Sequence, residues 1–375
     1  MNREVKESES LKIFRGAKVI ITGHTGFKGS WLSVWLTQLG AQVTGVSIDI
    51  PSDPSNFSAS FIKDVINDCQ LDITDTKAVK ILMEKIQPDF VFHLAAQALV
   101  RPSYENPVDT MITNAIGTVN VLDALKGLDK KVVAIMITSD KAYDNVEWVW
   151  GYRETDKLGG KDPYSASKGM AELAIRSYVD SFFSSPDSNV RVGIARAGNV
   201  IGGGDWAVDR IVPDCMSAWA NGKTVDIRSP YATRPWQHVL EPLSGYIALA
   251  MNLYQDNCNH GEAYNFGPSA NQNYPVSGLI DEMSKYWDKI KWNDVSNNKG
   301  HVHEAGLLKL NCDKALFDLD WHSALHFEET VKMTVEWYKE YYQSKGGSMY
   351  DFTVNQILTY TKMAKLQNIA WTKDD

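Results

Sequence analysis

Tyr164 and Lys168 lie four residues apart in the string Asp162-Pro163-Tyr164-Ser165-Ala166-Ser167-Lys168. A helix would put them on one face, a turn apart. Asp162 is placed to cap that helix, and Pro163 suits its first turn. A cation beside a phenol favours the tyrosinate, so the pair can take a proton from an alcohol. Tyr-x-x-x-Lys alone is common and is usually a solvated helix face. Here it follows, by one strand–helix unit, a run that ends in Thr138-Ser139-Asp140-Lys141. The Ser139 hydroxyl can hydrogen-bond a reacting oxygen beside Tyr164. Asp140 and Lys141 put an acid and a potential base at the carboxyl end of a strand, where parallel sheets bind ligands. Ser139, Asp140, Lys141, Tyr164 and Lys168 are the candidate catalytic set.

A second constellation is Gly23-His24-Thr25-Gly26-Phe27-Lys28-Gly29, between an apolar strand pattern and a helical one. Small residues let the chain turn tightly there and bring backbone N–H groups to a pyrophosphate at the helix N-terminus. The spacing is GxxGxxG, and its place between strand and helix is what makes it a dinucleotide signal. Gly23, Thr25, Gly26, Phe27 and Gly29 are the candidate cradle. Asp49 follows Gly29 by twenty residues, at the end of the next strand pattern. A carboxylate there accepts hydrogen bonds from a ribose diol and repels a 2′-phosphate. Ile50, Pro51 and Ser52 follow it, without Arg or Lys, which selects NAD over NADP. Asp72 and Ile73 are candidates for the adenine, and Lys168 can also orient the nicotinamide ribose.

These residues need a repeating scaffold. Strand patterns at Lys18–Thr22, Gln42–Ile48, Asp89–Ala95, Lys131–Thr138 and Val190–Ala197 alternate with helical ones at Phe27–Leu39, Asp75–Ile86, Pro107–Leu125 and Pro163–Phe182. In the first helix Trp31, Leu32, Trp35, Leu36 and Leu39 share a face, and Gly40 stops it. Repeated βα units imply an α/β fold with a parallel sheet and helices on both faces, wound right-handed. The regularity breaks after Ala197: Gly202–Gly204 and Ser229–Trp236 read as loops, and Glu241–Tyr254, Val276–Trp287 and Glu328–Tyr342 as helices.

Composition narrows the classes. The 375 residues, 44% of them hydrophobic, suffice for one large core or two fused domains. A net charge of −8 gives no support to nucleic-acid or anionic-membrane partners, so any phosphate site must be local. Cys69, Cys215, Cys258 and Cys312 lie far apart without a CxxC pair, which suits reduced, buried thiols better than a disulfide frame or a metal site. Met1–Ser10 is polar, reads as a floppy arm without a signal core, and no stretch is apolar enough to span a membrane. A cytoplasmic protein is expected.

The strings GHTGFKGSWL (23–32), HLAAQ (93–97), the YxxxK pair and RAGN (196–199) resemble the extended short-chain dehydrogenase/reductases. SDKAYDN (139–145), EWVWGYRE (147–154), DPYSASK (162–168), RAGNVIGGGDWAVDR (196–210) and RPWQHVLEPLSGY (234–246) narrow the resemblance to nucleotide-sugar 4,6-dehydratases of the type that takes CDP-glucose. It runs from about Phe14 to the C-terminal helices. It implies a Rossmann-type doubly wound parallel sheet with a smaller, mostly C-terminal α/β substrate-binding lobe. Residues 14–198 and about 237–262 would form the NAD domain; about 199–236 and 263–375 would form the other. It adds Leu94, Ala95 and Ala96 to the cofactor site and Gln97 to the substrate site. By motif position Asn199 and Arg234 would hold the substrate pyrophosphate, with Arg210 and His238 as further donors. The implied reaction oxidises C4 with Tyr164 as base, removes the C5 proton with Lys141, protonates the leaving C6 hydroxyl with Asp140, and returns hydride to C6. The product would serve deoxysugar and polysaccharide biosynthesis, including lipopolysaccharide. The resemblance also implies at least a homodimer, through paired helices near Pro107–Leu125 and Pro163–Phe182.

The family pattern has Leu-Gly-Trp where this chain has Leu319-Asp320-Trp321, and Asp where it has Asn311. Trp148, Trp150, Trp206 and Trp236 are candidates for a sugar pocket, although buried aromatics are core by default. His303 and Glu304 stand in an HEA string without an assignable role. A 4-epimerase would share fold, NAD and YxxxK but has no need of the Asp140–Lys141 pair. A decarboxylase needs a carboxylate site that nothing here supplies. An NAD-sensing scaffold would have lost catalytic residues, and all five are present.

Overall fold

The computed structural model describes residues 9–255, 258–296, 307–344 and 347–373. His303, Glu304 and most of the N-terminal arm lie outside them. Seven parallel strands form one sheet: β1 Lys18–Thr22, β2 Gln42–Ser47, β3 Asn67–Gln70, β4 Phe90–His93, β5 Val132–Ile137, β6 Val190–Ala197 and β7 Ala263–Phe266. Their order is β7-β6-β5-β4-β1-β2-β3. Side chains alternate along each strand, so one strand feeds two layers. Val19 and Ile21 enter the core on one face, and Ile20 enters that on the other. Val133 and Ile135 likewise oppose Val132, Ala134 and Met136.

Helices α1 Phe27–Gln38, α2 Thr76–Ile86, α3 Pro107–Leu125, α4 Pro163–Tyr178 and α5 Leu240–Gln255 cover the sheet. Helix α3 carries a π turn over Ile112–Ile116, which the periodicity does not signal. Helix α1 is buried on every side from Gly29 to Leu36, not on one face only. A second layer therefore covers its outer side. Trp35 meets Tyr360 at 5.9 Å and Trp371 at 5.6 Å, both edge-on.

That layer and the main sheet both draw on residues after 262. Residues 263–266 are the edge strand of the main sheet, and the helices Phe327–Gln343 and Tyr350–Leu366 pack Trp337, Tyr338 and Tyr360 into the core around α1. Outside the sheet, Val225–Ile227 pairs Trp292–Asp294, and Thr233–Arg234, within the expected loop, pairs Tyr274–Pro275. The strand Asn67–Gln70 escaped the sequence reading because an edge strand of polar residues has no apolar pattern. Asp320 ends the helix Asp313–Leu319 at φ +45°, the left-handed position that a glycine fills without strain. Asn311 accepts from the Asp313 N–H at 3.1 Å, a local cap. The cysteines form no disulfide; Cys215 is buried, whereas Cys258 is exposed, contrary to expectation. Among the described residues no helix is long and apolar enough to cross a membrane.

One polar tie crosses this interior. Glu172 of α4 receives Arg196 of β6 through both carboxylate oxygens, and Thr138 donates to it at 2.6 Å. The two charged side chains are 1% and 2% exposed. Arg196 also donates to the Tyr143 hydroxyl at 2.6 Å, which donates to Asn265 of β7 at 2.9 Å. Removing one partner strands a buried charge, so Glu172→Ala should lower the unfolding free energy by about 3–5 kcal/mol. Urea titration checks this, and a midpoint equal to the wild type's would contradict it.

Candidate active site

The first turn after β1 is built to approach other backbone. A Cβ on Gly23, at φ +76°, would meet the Ala95 nitrogen at 2.7 Å; one on Gly29 would meet the Gly23 carbonyl oxygen at 2.1 Å. Glycine is thus required sterically, and the N-terminus of α1 stays open for an anion. Thr25 donates to the Asp49 carbonyl at 2.7 Å, which ties the turn to the end of β2 and leaves the Asp49 carboxylate exposed. His24, within the turn, is fully buried on Gly45 and bonds Asp68 of β3 at 2.9 Å. Ile73 packs on Gly117 in the core, leaving Asp72 as the exposed member of its pair. The Asp72 carboxylate accepts from the Thr74 N–H at 2.8 Å. Leu94, Ala95 and Ala96 follow β4, half-buried, with Ala95 close against Gly23 and its N–H bonded to Thr22 at 3.1 Å.

The candidate catalytic set converges. Asp162 caps α4 as expected, accepting from the Ser165 N–H at 2.9 Å. Tyr164 and Lys168 are 8% and 7% exposed. Ser139 donates to Asp140 at 2.9 Å and faces the Tyr164 hydroxyl. Lys141 is exposed, and its ammonium stands 5.8 Å from the centre of the Tyr164 ring. Burial pushes the Tyr164 phenol up to about 12, against the pull of Ser139. Burial also raises Asp140, in spite of Lys141, Ser139 and Lys28. Lys168 falls to about 7 through burial first and the charge of Lys28 second. A carboxyl raised by burial, a phenol and a pliant cation around one cleft suit combined proton transfers.

Some residues were not foreseen. Lys28, in the first turn of α1, is lowered to about 8 by burial and lies 3.4 Å from the Tyr246 hydroxyl. Asn114 sits in the π turn of α3, donating to Ser167 of α4 at 2.8 Å and accepting from the Gln97 N–H at 2.8 Å. A polar residue inside an apolar helix was the available signal. Gln237 lines the same cleft as Asp140 and Gly198.

The expected substrate residues divide. Gly198, beside Asn199, is held against Asp140, where a Cβ would sit 2.5 Å from the Asp140 carboxylate oxygen. Arg210 pairs with Asp205 at 2.7 Å, and its charge reaches Tyr164 and Lys28. Arg234 lies on the short strand next to Pro235 of the cleft wall and donates to the Thr233 carbonyl at 2.9 Å. The side-chain amide of Gln97 is engaged by Leu99 and Thr110, so it ties its own loop to α3. His238 is fully buried, edge-on to Trp31 at 5.8 Å, and accepts from the Leu240 N–H at 3.3 Å. Burial lowers it to about 3. It is a neutral interior residue; with Nδ1 accepting, its hydrogen lies on Nε2, which meets no partner among the described residues. The tryptophans are largely structural too. Trp236 is buried and donates to the Tyr274 carbonyl at 3.1 Å, and Trp206 packs on Trp337, Tyr338 and Tyr341. Trp148 leans on Tyr152, and Trp150 is exposed.

Comparison with known proteins places the chain among relatives. The family described as GDP-mannose 4,6 dehydratase matches residues 20–334. A CDP-glucose 4,6-dehydratase of Salmonella typhimurium is 46% identical over 351 residues, 92% of this chain and 97% of the relative. The structure of a dTDP-glucose 4,6-dehydratase from Bacillus anthracis, in complex with NAD, has 19% identity and a TM-score of 0.71, covering 89% of this chain and 99% of that one. A UDP-glucuronic acid 4-epimerase from Bacillus cereus has 21% identity and a TM-score of 0.73, covering 86% and 99%. The last two likenesses concern the fold alone.

The coupling of the two buried lysines is measurable. Lys168 loses its charge as pH rises through about 7. Lys28→Met removes a neighbouring cation, so the midpoint of Lys168 should move upward. Titration of the Lys168 ε-carbon resonance reads this directly; an unmoved midpoint would refute the coupling.

Proposed function

The chain belongs to the GDP-mannose 4,6 dehydratase family, and from that premise we propose that it is an NAD-dependent hydro-lyase converting CDP-D-glucose to CDP-4-dehydro-6-deoxy-D-glucose and water. The observation that carries the reading is the buried Asp140, its carboxyl raised, beside Ser139 and Tyr164 with Lys141 across the ring. A 4-epimerase has a use for the tyrosine and none for an acid beside it, because no hydroxyl leaves. The 46% identity to a CDP-glucose 4,6-dehydratase supports the nucleotide.

The steric cradle of Gly23 and Gly29, with the exposed Asp49 at the end of β2, fits a dinucleotide with a free ribose diol. NAD supplies the hydride chemistry, taking hydrogen from C4 and returning it to C6. The residues of the chain move the protons. Tyr164, its anion favoured by Lys168, takes the C4 hydroxyl proton. The ketone then acidifies C5–H, and Lys141 removes that proton. The electron pair becomes the C5–C6 double bond as the C6–O bond breaks, and the proton of Asp140 goes to the leaving oxygen. Lys141 gives its proton back to C5. Arg234, Arg210 and Asn199 would hold the diphosphate, whose recognition suits guanidinium groups. Residues 199–236 would form most of the substrate-binding part.

The product is a precursor for deoxysugars of surface polysaccharides such as lipopolysaccharide, made in the cytoplasm. Exposed Val108, Ile112 and Ile116 on α3, next to exposed Met170 and Leu173 on α4, support a homodimer through these helices.

A panel of CDP-, dTDP-, GDP- and UDP-sugars, scored by mass, tests the reaction. CDP-glucose should lose one water; a product of unchanged mass would make the enzyme an epimerase. The two halves of the reaction separate by mutation. Lys141→Met should still form bound reduced nicotinamide but exchange C5–H with deuterated solvent at least about 100-fold more slowly. Asp140→Asn should keep C5 exchange while water loss stalls. Wild-type exchange in Lys141→Met would assign the base elsewhere.

A further inference from the structure

Gln237 stands where β6 hands the chain to the cleft. Its N–H donates to the Asn199 carbonyl at 3.2 Å, beside Gly198, whose missing Cβ makes room for the Asp140 carboxylate. The side chain is 2% exposed. Its Nε2 donates to the Phe266 carbonyl at 3.1 Å. A carbonyl oxygen only accepts, so this contact fixes which way the amide lies. The other amide atom, Oε1, is buried and meets no donor among the described residues. Gln237 lines the cleft together with Asp140. Buried acceptors are nearly always paired, so this one calls for a donor brought by the ligand.

The substrate has one group that matches the geometry. The hydroxyl that Asp140 protonates must offer it a lone pair, and its own hydrogen must then point to an acceptor. Resting on the dehydratase reading above, we propose that Gln237 is a substrate-binding residue whose Oε1 accepts the hydrogen of the hexose C6 hydroxyl. This bond turns the C6 oxygen's lone pair to Asp140. When the C6–O bond breaks, the Asp140 proton joins that oxygen and the water leaves with its original hydrogen still on Gln237. The residue thereby selects sugars that carry a C6 hydroxyl, a choice that C4 chemistry alone does not need.

The test pairs protein and ligand changes. Affinity is read from the concentration dependence of bound reduced nicotinamide, with CDP-glucose and with CDP-6-deoxyglucose, both of which can be oxidised at C4. Wild type should prefer the hydroxylated sugar about tenfold, the worth of one buried hydrogen bond. Gln237→Met should bind the two within about twofold. A merely structural role would weaken both ligands equally and leave the preference at its wild-type value, which would overturn the proposal. Equal binding by the wild type would overturn it without any variant. Should Gln237→Met fail to fold, Gln237→Glu keeps an oxygen acceptor and should keep the preference; its loss there would overturn the proposal too. If the wild type releases no water from CDP-glucose, the dehydratase reading falls and takes this one with it. If water is released and the preference is insensitive to Gln237, only the role of Gln237 falls.

Discussion

The position of α4 against the sheet rests on the buried pair of Arg196 and Glu172. Tyr164, Lys168 and Glu172 are spaced by four, so one helix face carries the phenol, the amine and the carboxylate in succession. The carboxylate is locked to β6 and, through Thr138, to the end of β5. Ser139 and Asp140 follow Thr138 directly. One ion pair thus sets the distance between the tyrosine on the helix and the acid on the strand. Buried pairs are poor sources of net stability, because desolvation offsets most of the attraction. Their value is registry. Arg196 can face Glu172 in only one helix rotation, and the Tyr143–Asn265 bonds extend that registry to β7.

A second constraint is electrostatic. The chain is acidic overall, yet Lys28 and Lys141 lie near the Asp140 carboxylate, and the charges of Lys28, Lys168 and Arg210 reach one another or Tyr164. Burial counters three of these charges: the amines of Lys28 and Lys168 fall to about 8 and about 7, and the Asp140 carboxyl rises. The site is therefore poised to exchange protons near neutrality, and anionic ligands entering it restore the cations' charge.

The chemistry was more legible in the sequence than the walls around it. The βα alternation, the glycine turn and the Tyr164–Lys168 helix follow from local rules of period, capping and steric need, and the structure realises them within a few residues. What escaped depends on distant partners. His238 reads as a donor by its place in the RPWQHV string; its burial against Trp31 comes from the fold around α1. Gln97 reads as a ligand and is instead engaged by its own loop. The strand Ala263–Phe266 is four residues long, too short for periodicity, and its Asn265 is bonded to Tyr152 and Asn311 far along the chain. Helix α1 shows an apolar face in projection, yet distant segments, among them Asn56, Gly203, His238 and the C-terminal aromatics, explain why its other sides are buried as well.

Those aromatics reach the glycine-rich stretch after β6. Trp337 occupies the space that a side chain on Gly203 would need, and the Gly203 carbonyl accepts from Trp31 at 2.8 Å. Tyr338 donates to the Asp205 carbonyl, and Asp205 holds Arg210. The floor beneath Gly203 to Arg210 is thus laid by residues more than a hundred positions downstream. During synthesis on the ribosome the sheet strands emerge first, while this floor is still unmade. The nascent chain must keep Trp35 without its partners Tyr360 and Trp371 until the last helices leave the exit tunnel, so translation of residues 350–372 closes the window in which chaperones or misassociation act on that face.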